Sequence, residues 1–334
     1  MNKNALSIRT FPPAWFAMIM GTGAVANATY LMGFHAIGKG LYYINLVMAA
    51  LLIIPWTLRW ILYPREVLAD LFSPYKISFF PTMPVGGLVL GSGALLMKPF
   101  PGYLTFAWTM YIIAVPLVFI FAIIMGYAMF TEGEINLEHA NCSWLIPPVA
   151  AIVVPMLGNG LVGSAGKYAS LVGVINIAMW SIGFFLFIFV GNIIFFRMVR
   201  HSLPDARVAP TVWISMGPIG VGTIGLLGLK SSFGALGIGL NLSSIAPLFW
   251  GFGLWCYFIA IFVTYHYRKT TAIPYGLGWW AYTFPLGAYT ISTIFLYKTF
   301  NVAVFQWIAY LLYATLVYFF IVVVINTFRF VLRG

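Results

Sequence analysis

From Val302 to Phe328 the chain carries no charged side chain, and Trp180 to Phe196 is a second uncharged run in mid-sequence. Neither stretch alternates apolar and polar residues strictly, as a lipid-facing barrel strand would. A run of about 20 apolar residues is the length of a helix crossing the hydrocarbon core of a bilayer. Of the 334 residues 62% are hydrophobic and 7% charged, where a soluble domain is about a quarter charged. Such a chain cannot cover a water-facing surface, so lipid is its main solvent.

Charge breaks and turn residues predict ten membrane helices, near 13–33, 41–62, 79–97, 103–130, 144–165, 168–196, 211–229, 243–266, 278–297 and 303–328. With short loops these spans use nearly the whole chain, so 1–334 reads as one integral membrane domain. About twelve residues precede the first span and no cleavage signal follows it, so a retained helix is expected. Cys142 and Cys256 show no metal-ligand spacing and no disulfide framework, and read as small buried residues.

Ten spans leave two sets of loops. One set, with both termini, holds Lys3, Arg9, Arg59, Arg65, Lys76, Arg197, Arg200, Arg207, Arg268, Lys269, Arg329 and Arg333. The other holds five basic residues: Lys39, Lys98, Lys167, Lys230 and Lys298. The excess of Lys and Arg places the first set and both termini in the cytoplasm. Glu66, Asp70, Glu132, Glu134, Glu138 and Asp205 all fall in that set, so the outer face has lysines and no carboxylate. One lysine stands at or just beyond the outer end of each odd-numbered span. Around a common axis they would form a collar that concentrates anions. Alternatively, each anchors a helix end at the headgroups by snorkelling. The net charge of +11 is scattered, with no basic cluster interleaved with aromatics, which speaks against a nucleic-acid partner.

Odd and even spans differ in kind. Odd spans carry Gly21, Gly23, Pro84, Gly86, Pro148, Pro218, Gly220, Pro285 and Gly287, whereas even spans are bulky with Ile, Phe, Leu and Val. Met20, Pro84, Pro148, Pro218 and Pro285 are 64, 64, 70 and 67 residues apart. An aromatic residue precedes each by four or five positions: Trp15, Phe80, Trp144, Trp213 and Trp280. This periodicity predicts a helical hairpin repeated five times. Small residues permit close backbone approach, so the odd helices belong inside and the bulky even helices face lipid. Proline kinks are tolerated where a cavity takes up the freed backbone. Five kinked inner helices in quasi-fivefold arrangement would line a pore.

Trp279-Trp280-Ala281-Tyr282-Thr283-Phe284-Pro285-Leu286, with Pro12-Pro13-Ala14-Trp15-Phe16-Ala17 and Met20-Gly21-Thr22-Gly23, resembles the tellurite-resistance/dicarboxylate transporter family. That family includes a bacterial tellurite-resistance protein, the plant guard-cell slow anion channel and fungal malate permeases. The resemblance implies a homotrimer with one pore per protomer, and a phenylalanine on the ninth helix that blocks the pore. Phe284 is the matching position.

The middles of the ten spans contain no Asp, Glu, Lys, Arg or His. This favours an anion channel whose selectivity comes from outer lysines, backbone dipoles and hydroxyls such as Thr22, Thr82, Thr223, Thr283 and Ser292. A proton-coupled carrier of C4-dicarboxylates such as malate is the alternative, although such carriers usually hold a titratable group in the membrane. His266 and Glu132, at span ends, come nearest. A membrane enzyme is disfavoured: there is no metalloprotease His pair and no nucleophile elbow. Glu134, Glu138 and His139 read as a solvated helix end rather than a metal site. No cofactor is expected; the partners are small inorganic or organic anions and membrane lipid.

Overall fold

The computed structural model describes residues 7–73, 76–131 and 136–333, and every regular element among them is helical. The α-helices are α1 (Phe16–Leu31), α2 (His35–Leu62), α3 (Pro64–Leu71), α4 (Thr82–Met97), α5 (Tyr103–Thr131), α6 (Ile146–Leu161), α7 (Ala169–Arg200), α8 (Met216–Gly234), α9 (Ala246–Thr270), α10 (Phe284–Phe300) and α11 (Ala303–Arg333). Eight helical stretches among the described residues are long and apolar enough to cross a membrane. As α-helix alone, α1 and α10 have 16 and 17 residues, close to the 16 each of α4 and α6, whose stretches reach spanning length with their 3-10 segments. Lys3, Glu132 and Glu134 lie outside the described residues, as does the Arg333 side chain.

Two classes of helix separate by burial. In the most apolar windows of α2, α5, α7, α9 and α11, between 17% and 33% of residues are buried. In the stretches containing α4, α6 and α8 the share is 67% to 83%. In α1 twelve of 16 residues are buried as well, and in α10 twelve of 17. Composition explains the division. Gly, Ala and Thr on the buried helices let backbones approach, and the Ile, Leu and Phe of the others cover an apolar outside. Without water to satisfy them, the backbone groups of those β-branched stretches must bond within a helix, whatever their strand propensity.

Neighbouring buried helices pack in a closed circuit: α1 on α4, α4 on α6, α6 on α8, α8 on α10, and α10 back on α1. Each also packs against the long helix that follows it. A 3-10 segment leads into each buried helix: Pro13–Trp15, Ile77–Phe79, Cys142–Leu145, Ala206–Ser215 and Leu277–Tyr282. The recurrent aromatics lie in or directly after these segments, and all five are buried.

Four of the long helices turn back to hold the chain ahead of their own partner. Arg59, in the last turn of α2, donates from Nε to Arg9 O at 3.0 Å and from Nη1 to Phe11 O at 3.1 Å. Arg197 of α7 donates to Glu138 O at 2.9 Å, and the Tyr267 hydroxyl of α9 to Pro204 O at 2.6 Å. Thr327 of α11 shares a 2.7 Å hydrogen bond with the Tyr275 hydroxyl. Donors and acceptors differ, but each bond joins the C-terminal part of a long helix to the chain ahead of the buried helix before it.

Candidate functional site

The predicted prolines all fall where a 3-10 segment gives way to an α-helix. Pro148 and Pro285 lie in the first turns of α6 and α10, and Pro84 and Pro218 are the third residues of α4 and α8. At these four prolines the break thus takes the form of a junction rather than a bend within a continuous α-helix, and α6 alone of the four carries a further proline, Pro155, inside the helix. A first-turn N–H has no intrahelical acceptor, so proline costs little there and its fixed φ suits the helix start.

The glycines stand at helix crossings. Gly21 faces Thr283 and Trp280, Gly23 faces Val89 and Asn45, and Gly86 faces Ile19. A β-carbon would come within 3 Å of a neighbouring atom at Gly21, Gly23, Gly220 and Gly287, and at Gly220 that atom is backbone. A β-carbon on Gly220 would fall 2.5 Å from the Tyr289 amide nitrogen, and one on Gly287 would fall 2.7 Å from Ala24 Cβ. Gly220 and Tyr289 each lie about one turn into their helices, so α8 and α10 run parallel and in register.

The five helix starts converge on a narrow cavity of about 50 Å³. Ala14, Ala17 and Met20 line it from the first segment, and Phe79 and Thr82 from the second. Ile146 and Val149 come from the third, Thr211, Ile214 and Gly217 from the fourth, and Trp280, Ala281, Phe284 and Pro285 from the fifth. At roughly 10–15 Å³ per water centre it has space for only a few waters. Phe284 is the first residue of α10 and is 5% exposed. Its ring belongs to an apolar cluster with Met20, Ala24, Val85, Val149, Val221 and Ala288. The N-terminal, electropositive ends of five helix dipoles face this cavity.

Of the candidate hydroxyls only Thr82 lines the cavity, and it donates to Pro13 O at 2.8 Å. Thr223, Thr283 and Ser292 are spent on carbonyls of their own segments, at 2.7–2.8 Å, and Thr22 is buried. Thr211 and Ile214 are cavity residues that no sequence pattern marks, and Met20 stood out only as a member of the repeat and of the first-helix motif.

The five lysines lie at or beyond the other ends of these helices. Lys98 caps α4 in a left-handed conformation, Lys230 and Lys298 are near the ends of α8 and α10, and Lys167 lies in the 3-10 segment Gly166–Tyr168. Lys39 is in the first turns of α2. Two lean on nearby aromatic rings: Lys98 Nζ is 5.9 Å from the Tyr103 centroid and Lys167 Nζ 5.1 Å from that of Tyr168.

A second cavity, of about 430 Å³, shares Ala14 and Phe79 with the first. Its walls include Arg9, Arg59, Glu66, Asp70 and Lys76, a charged set that no sequence motif marked. Partial burial would raise the Asp70 pKa. Hydrogen bonds from Arg59 and Lys76, together with their charges, outweigh that and hold the carboxyl below its ordinary value. Glu138, at the far side of the same face, lies 3.8 Å from His201 Nδ1, and among the described residues no group of three metal-ligating side chains occurs. His266 is exposed in the last turns of α9.

A family model described as Voltage-dependent anion channel (SLAC1) matches residues 10–328. An uncharacterized transporter of Methanocaldococcus jannaschii is 36% identical, over 98% of this chain and 95% of its own. A sulfite efflux pump of Arthroderma otae is 27% identical over 90% and 85% of the two chains. A malic acid transport protein of Schizosaccharomyces pombe is 23% identical over 90% and 73%. Buried helix starts around one apolar cavity and a match across nearly the whole length agree: this multi-pass membrane protein belongs to the SLAC1 family of anion channels and transporters, the family to which its ninth-helix sequence had pointed.

Proposed function

We propose that the protein passes small anions through a pore enclosed by α1, α4, α6, α8 and α10, with the Phe284 ring as its gate. The observation that carries this reading is the position of Phe284, at the start of α10 where five helix starts meet. The reading requires ten spans, as five hairpins around one axis. The closed circuit of helix contacts supports it. So does length: α1 rises roughly 24 Å as α-helix, and its 3-10 lead-in adds about 6 Å, enough for the hydrocarbon core.

Anions are favoured over cations by the five dipole ends and by the lysines at the opposite mouth. The gate works by exclusion: with the ring seated, a hydrated ion would have to shed water against Met20, Val149 and Val221. The helix starts and charged cavity lie on the cytoplasmic side by loop charge, with both termini there, in the cell membrane as a homotrimer of separate pores. Relatives named for sulfite efflux and malic acid transport make small oxyanions and carboxylates the substrates to try first. The second reading, a C4-dicarboxylate carrier, rests on the latter name. Reconstitution into liposomes with chloride, nitrate, sulfite and malate separates the two. Electrogenic flux well above carrier turnover, raised further by Phe284→Ala, supports the channel; strictly pH-driven malate uptake without excess current sinks it.

A further inference from the structure

The charged cavity beside the Phe284 passage is built around one immobilised guanidinium. Arg59 is 3% exposed, and two backbone carbonyls fix it through Nε and Nη1. Nη2 donates to Asp70 Oδ2 at 2.6 Å, and both residues line the cavity. The other carboxylate oxygen accepts from Lys76 Nζ at 2.5 Å. Asp70 therefore sits between a guanidinium and an ammonium as a free carboxylate or small oxyanion would. Arg9 and Glu66 form a separate exposed pair at 2.8 Å. The wall carries three cations and two carboxylates, so without Asp70 two cations would face the cavity unbalanced.

We propose that this cavity is a second anion site, a loading station at the mouth of the passage, where Asp70 is a tethered internal anion and an incoming carboxylate or oxyanion replaces it between Arg59 and Lys76. This rests on the anion-passage reading. Arg59 is preorganised, so little rotamer freedom is lost when it takes a new partner. Lys76 is 65% exposed, and a pair so wet contributes little. Asp70 is carried by the eight-residue α3, whose apolar residues Val67 and Leu71 stay buried while the carboxylate turns to water. Exchange of one carboxylate for another is close to neutral, and weak multi-site binding is what throughput demands.

The competing view is that Asp70 merely clamps α3 to α2. Calorimetric titration of the full-length protein in lipid nanodiscs with sodium malate and sodium nitrate decides between them, and requires no flux. Asp70→Asn should tighten malate binding about three- to tenfold. Lys76→Gln, at an exposed position that tolerates change, should weaken it about threefold, and the double variant should fall back toward wild type. Asp70→Asn binding within twofold of wild type, or tightening that persists undiminished in the double variant, overturns the proposal. Should Asp70→Asn fail to fold, unchanged affinity in Lys76→Gln overturns it alone. Lack of anion flux by the wild type would count against the passage while the titration still decided the site.

Discussion

Gly220 of α8 lies so close to Tyr289 of α10 that a β-carbon would stand 2.5 Å from the Tyr289 amide nitrogen. The obstacle is backbone in a rigid helix, so no rotamer change relieves it. Gly220→Ala should cost at least about 1–3 kcal/mol, the range for overpacking a close-packed interior, and lower the melting temperature in detergent. A melting temperature within a degree of wild type would mean that this crossing yields more readily than the geometry allows.

Truncation of the gate should be graded. Burial of a phenylalanine ring stabilises its seated position by about 1.5–3 kcal/mol. Phe284→Leu, →Val and →Ala should therefore raise anion flux in that order, with the alanine variant about tenfold or more above wild type at matched expression. Equal flux across the series would show that the narrow point lies elsewhere.

Lys230 and Lys298 test the collar better than Lys98 or Lys167, which rest on neighbouring tyrosines. Reversal of both charges should lower flux about threefold at low salt, and the difference should vanish as screening shortens the Debye length. Identical flux and selectivity at low salt would leave headgroup anchoring as their role.

Acid should loosen the face that carries α3. The Asp70 carboxyl is held below its ordinary value in the folded protein, so its contribution to stability is complete above the unfolded value of about 3.9 and is lost as pH falls through the folded one. Asp205 is held at about 2 by the side chain and backbone N–H of Arg207, but it is fully exposed and adds little. The melting temperature should be flat from about pH 5 to 8 on this account and drop below about pH 4. Asp70→Asn should make that drop shallower, and an unchanged acid slope in the variant would rule out Asp70 as its source.

The division into buried and outer helices was legible because it is written in composition: glycine and proline recur in register, and bulky aliphatic runs alternate with them. Boundaries were less so. Gly38, Lys39 and Gly40 read as a loop, yet α2 already begins at His35. A β-carbon on Gly38 would lie 2.8–2.9 Å from Tyr30, so that glycine serves the α1–α2 crossing rather than a break. Sequence could name proline positions, but not that 3-10 turns would precede them and move each break to a helix start. It named Phe284 through family likeness, whereas the Arg59–Asp70–Lys76 cluster is assembled from three segments whose spacing carries no signal. Thr223, Thr283 and Ser292 stand away from the cavity for a local reason: inside an apolar bundle each donates to a carbonyl about one turn back.

The tethers from Arg59, Arg197, Tyr267 and Thr327 bear on how such a gate can move. Each ties a long helix to the chain ahead of the buried helix before it, so tilting that buried helix would break a buried or part-buried hydrogen bond in four places. The framework is therefore tied down at the end where the buried helices start. On the proposed reading, what has to move is small: the Phe284 ring and the few apolar side chains of its cluster. Opening would then be a local rotation with little inertia and no wholesale rearrangement, and the protein could switch without lending its fold to the task.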